Sequence, residues 1–105
     1  MVRSNFDTPM ELTNGVVEAC GELDWKGETG VSVMVTLIQR QHHAHATASS
    51  KSFEPPADEW MVEFEATGAN GFSAGPAHAI GVLSAVDKHG VTVFHWSQDV
   101  RLGEE

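Results

Sequence analysis

One cysteine, Cys20, and no tyrosine occur in the 105 residues of this chain. A lone cysteine cannot form an internal disulfide, so the stapled framework of small secreted domains is excluded. Basic residues are also scarce, with 6 Lys and Arg against 15 Asp and Glu and a formal charge of -9. Such a balance repels phosphate backbones and anionic lipid surfaces, so nucleic acid is not an expected partner. No apolar run approaches the roughly 20 residues that a membrane-spanning helix needs, and no span is expected. The opening residues Met1 to Asp7 lack the apolar stretch of a signal peptide. The expected location is the cytosol, or an exported compartment after removal of a signal.

Helix signals are missing as well. Nowhere do caps and apolar spacing at three and four residues persist together for ten residues, while glycine and β-branched residues recur throughout. What is present is alternation with a period of two, the mark of half-buried β-strands. With 41% apolar residues the chain can build one core without metal or disulfide. One domain over residues 11–102 is expected, with a flexible leader at 1–10 and a short tail at 103–105.

Within that domain, Val17, Ala19, Gly21, Leu23 and Trp25 fall on one face after the Asn14-Gly15 turn signal, opposite Glu18, Cys20, Glu22 and Asp24. Val31 to Arg40 is rich in β-branched residues and is the best candidate for a central strand. His42-His43-Ala44-His45-Ala46-Thr47-Ala48-Ser49 alternates again, either as a continuation past a bend or as a separate edge strand. Trp60, Val62, Phe64 and Ala66 alternate with Met61, Glu63 and Glu65. Ala77 to Val86 is mostly apolar or small and reads as a strand buried on both faces. Asp87-Lys88-His89-Gly90 fits a short hairpin loop, with Val91 to Leu102 as the return strand. About seven strands with short turns favour an antiparallel β-sandwich over a barrel.

The segments Val31-Ser32-Val33-Met34-Val35-Thr36-Leu37-Ile38-Gln39-Arg40 and Phe72-Ser73-Ala74-Gly75-Pro76-Ala77-His78-Ala79, with Val91-Thr92-Val93 and Val100-Arg101-Leu102, resemble small bacterial immunoglobulin-like β-sandwich domains, a mostly uncharacterised group. The resemblance implies two antiparallel sheets over residues 11–102 and brings no catalytic residue with it. It also has departures. The chain lacks the paired cysteines and the tyrosine corner of a true immunoglobulin domain, so Trp25, Trp60 and Trp96 are the expected large core fillers.

Chemistry concentrates in the histidines. His43 and His45, two apart on a strand, would project from one face toward a shared ion, and imidazole nitrogen suits Zn(II) or Cu(II). A third ligand would have to come from His42, His78, His89, His95, Glu63 or Glu65 on another strand. The next acid after His45 is Glu54, too distant for the cupin pattern, and the flanking residues do not match the copper-zinc dismutase strand. Cys20 has no neighbouring histidine to activate it. Gly71-Phe72-Ser73-Ala74-Gly75 spells a nucleophile elbow but has neither the helix nor the large α/β sheet that motif needs. Pro55, Pro56, Asn70 and Phe72 lie in loops and are candidate contact residues. The leading expectation is a non-enzymatic binding or interaction module, with protein as partner and no cofactor. A histidine-based Zn or Cu protein is the second, and a small β-fold enzyme without a recognised signature the third.

Overall fold

The computed structural model describes residues 6–7, 9–13, 15–23, 25–65 and 71–104. They form seven strands: β1 (Met10–Thr13), β2 (Val16–Glu22), β3 (Gly30–Gln39), β4 (Ala44–Ser49), β5 (Glu59–Glu65), β6 (Gly75–Asp87) and β7 (Gly90–Glu104). All seven belong to one hydrogen-bonded sheet in the order β4-β3-β6-β7-β1-β2-β5. The sheet is rolled so far that its edge strands β4 and β5 approach each other, giving an almost closed barrel. Two separate, purely antiparallel sheets were the expectation. Instead β1 pairs antiparallel with β2 and parallel with β7, which joins the two halves into a mixed sheet.

Alternation decides which side chains enter the roll. In β5, Trp60, Val62 and Phe64 are buried between exposed glutamates and Met61, and in β2 Val17 and Ala19 are buried, followed by Leu23 just past the strand. Val31, Val33, Val35 and Leu37 of β3 lie beside Ala85, Leu83, Gly81 and Ala79 of the neighbouring β6 on the same inner face. The result is a single apolar core between the halves, and each fully buried large side chain contributes about 1.5–3 kcal/mol. Phe6 is 2% exposed, its ring lying 5.7 Å from Trp60 and 5.0 Å from Trp96. Met10, also buried, begins β1. These two residues were expected in a flexible leader. Their apolar side chains instead fill the interior where β1 bridges the halves, and at the other end β7 runs on to Glu104 through the expected tail.

One glycine is dictated by packing. Gly81 lies directly opposite Trp96 in the β6–β7 register, and a Cβ there would lie 2.5 Å from the indole ring. The ring lies over the bare backbone, tilted against Phe6 and stacked on Phe94 at 5.5 Å. Trp96 Nε1 is buried and finds no hydrogen-bond partner among the described residues. Trp25, by contrast, is half-buried and donates its indole N–H to the Ala57 carbonyl.

Candidate interaction surface

Strand β6 is not buried on both faces. Its odd-numbered residues from Ala77 to Ala85 point inward, whereas His78, Ile80, Val82, Ser84 and Val86 point out, with Ile80 and Val86 exposed. An apolar run cannot reveal which of its faces is covered. The two-residue turn Lys88-His89 fixes the register with β7, pairing His78 with Asp99, Ile80 with Ser97, Val82 with His95, Ser84 with Val93 and Val86 with Val91. Strand β3 adds Ile38, Thr36, Met34 and Ser32 to successive rows, and β4 adds His45, Thr47 and Ser49. The outer face of β4-β3-β6-β7 therefore reads in rows: His45-Ile38-His78-Asp99, Thr47-Thr36-Ile80-Ser97, Ser49-Met34-Val82-His95, Ser32-Ser84-Val93.

That face is apolar toward the hairpin end. Val91 is 65% and Val93 55% exposed, and Met34, Ile80 and Val86 are exposed with them. Met61 is the other large exposed apolar side chain among the described residues, and it lies on the opposite side of the roll, in β5. The face is also poor in charge, carrying Asp99 and Arg101 on β7 beside the histidines His45, His78 and His95.

At the opposite end of the rows lies a cleft of about 480 Å³ lined by Ile38, Arg40, Gln41, Pro76, Ala77, His78 and Asp99. Here His78 Nδ1 and Asp99 Oδ1 are 3.0 Å apart, which orients the imidazole across the strand pair. Gln41 donates to the Pro76 carbonyl at 2.6 Å. Beneath it the fully buried Gln39 donates to the Ser73 carbonyl at 2.7 Å and accepts the Ser73 N–H at 2.9 Å. These bonds tie the segment before β6 to the end of β3. The His78–Asp99 pair was missed as a pair by sequence reasoning, although counting outward from the hairpin turn aligns the two residues.

The other expected site residues are scattered. His43 does not belong to β4: it follows a 3-10 turn over Arg40–His42, has left-handed backbone (φ 52°) and donates its N–H to the Arg40 carbonyl at 3.1 Å. Strand alternation therefore does not relate His43 to His45, which is exposed on the outer face of β4. Among the described residues no three His, Cys, Asp or Glu side chains come together to hold a metal ion. Pro55 and Pro56 are exposed in a turn, joined by a cis peptide bond. Phe72, a candidate contact residue, is 5% exposed and part of the core, because the Gln39–Ser73 bonds draw its segment inward. Asn70 lies outside the described residues.

Cys20 faces outward from β2, its thiol 3.5 Å from Asp7 Oδ2. Desolvation, the bond to Asp7 and the charges of Asp7, Glu59 and Glu18 together push its pKa up to about 11. That is the opposite of activation. Among the described residues no helix is long and apolar enough to cross a membrane. No family model matches the chain, and no curated protein matches it.

Proposed function

We propose that this chain is a non-enzymatic binding module of immunoglobulin-like strand arrangement that engages a protein partner through the outer face of β4-β3-β6-β7. The strand order supports the arrangement. The run β4-β3-β6-β7 corresponds to the C′-C-F-G sheet of a variable-type domain and β1-β2-β5 to its A-B-E strands, with β1 pairing across both. The core replaces the missing inter-sheet disulfide with Trp60 and Phe64.

The binding role rests on one observation: Met34, Ile80, Val86, Val91 and Val93 are exposed together on one nearly uncharged face of a chain whose net charge is -9. Scattered exposed apolar residues are ordinary, but a contiguous patch marks an interaction surface. Hydrophobic-interaction chromatography tests it. Val91→Ser with Val93→Ser should shorten retention strongly and Met61→Ser only slightly. Equal shortening by both variants would remove the distinction between the faces and the reading with it.

A further inference from the structure

Resting on that reading, we infer that the partner is a second copy of this chain, packed face to face through β4-β3-β6-β7. Charge is the first reason. Two copies of so acidic a protein repel wherever glutamates meet, and the outward positions of β1, β2 and β5 hold Glu11, Glu18, Glu22, Glu59, Glu63 and Glu65, while none of these three strands contains a lysine or arginine. On the four-strand face Asp99 is matched by Arg101 on its own strand, so this is the broad strand face on which two copies meet without net repulsion.

Area is the second reason. Four strands at about 4.8 Å spacing and about nine residues of 3.4 Å rise cover roughly 600 Å². Because the sheet is rolled, two such faces bury at most about 1,200 Å², the low end of what specific complexes use, which fits a weak, reversible dimer.

Symmetry then fixes the register. An isologous pair presents the same patch from both copies. A two-fold axis across the strands would set the Val86–Val91 end of one copy on the His78–Asp99 end of the other. An axis along the strands, between β3 and β6, keeps the apolar end on the apolar end and lays each row on its own reverse. Met34 then meets Val82 of the second copy, Ile80 meets Thr36, and Asp99 meets His45. Met34 with Val82 is apolar on apolar and Asp99 with His45 polar on polar, Ile80 with Thr36 and Ile38 with His78 are mixed, and Val91 and Val93 lie past the end of β4 of the second copy. The sheets would cross at about the 30° usual for aligned face-to-face packing.

Sedimentation equilibrium of the full chain between about 5 and 500 µM tests the inference. A monomer-dimer equilibrium with half-association in the range of roughly 10–100 µM is expected. Met34→Glu should weaken it at least about 30-fold and Met61→Glu should leave it unchanged. Val82→Glu, at the position that Met34 meets, serves as the second variant, and the melting temperature of each reports that it is folded. A chain monomeric throughout the range, or equal weakening by Met34→Glu and Met61→Glu, overturns the second copy as partner. In the monomeric case, the chromatographic contrast between the faces decides separately whether the binding face itself survives.

Discussion

The outer faces of β1-β2-β5 and of β4-β3-β6-β7 follow the same two-residue period over the same core, yet they carry opposite chemistry. The first sets Glu11 beside Glu18 beside Glu63 across three neighbouring strands, and Glu22 beside Glu59. The second sets Met34 beside Val82, and Val86 beside Val91. Neither choice serves folding. Like charges directly opposite on a sheet are destabilising, and exposed valines contribute little to a core they do not touch. Inward positions are determined by the need for a core, whereas outward positions are free to record other demands. On the proposed reading, the acidic face records exclusion of other acidic surfaces and the apolar face records contact.

Four perturbations sharpen this contrast. The largest effect belongs beneath the apolar face, where Gly81→Ala would drive a methyl group into the Trp96 ring. Overpacking of this kind costs about 1–3 kcal/mol, and thermal melting should show a loss of several degrees. An unchanged melting temperature would mean that the ring does not lie over this glycine. On the acidic face, alkylation of Cys20 near pH 8 should run about tenfold slower than that of a free cysteine, because its raised pKa leaves little thiolate. The rate should keep climbing toward pH 11, and a plateau below pH 9 would contradict the acidic surroundings assigned to this thiol.

A smaller gain is expected from Glu63→Lys, which converts the Glu11-Glu18-Glu63 row into an alternation. Stability should rise by about 0.2–1 kcal/mol, less at high salt, as judged by urea denaturation. A lysine placed on the other face, Ser97→Lys, relieves no repulsion and should give no comparable gain. Smallest is the joint between the halves. Glu28, buried in the loop from β2 to β3, accepts the Lys26 N–H at 2.7 Å, and this bond holds its carboxyl below the ordinary value of 4.5. A folded-state pKa lowered in this way adds stability that is present above the ordinary value and lost as pH falls through the folded one. Glu28→Gln should therefore be destabilising at pH 7, with a difference that shrinks as the pH falls below about 4. A difference that stays constant down to pH 2 would remove the charge from the explanation.

Much of the fold is legible in the sequence where the signal is local. The burial of Trp60, Val62 and Phe64, the inward set from Val17 to Leu23 and the Lys88-His89 turn all follow from spacing within one segment. The parallel pairing of β1 with β7 is not local. Met10 meets Leu102 from the other end of the chain, and no periodicity within either strand encodes that. Non-local closure also explains why residues such as Phe6 looked detachable. The four-strand face was half legible: Ile80, Val82 and Val86 stood out as apolar, but a strand with apolar residues on both faces reads as buried on both unless its covering layer is known. The strand alternation read through His43 does not hold there, because a 3-10 turn and left-handed backbone interrupt the strand.

The contrast between the faces is tested most directly by residue-resolved amide chemical shifts followed on dilution from about 500 to 10 µM, the range over which an interface of this size dissociates. The account predicts concentration-dependent shifts concentrated at Met34, Ile80, Val82 and Val93, with Glu18, Met61 and Glu63 unmoved. Shifts confined to the glutamate face, or none anywhere on the four-strand face, would contradict it.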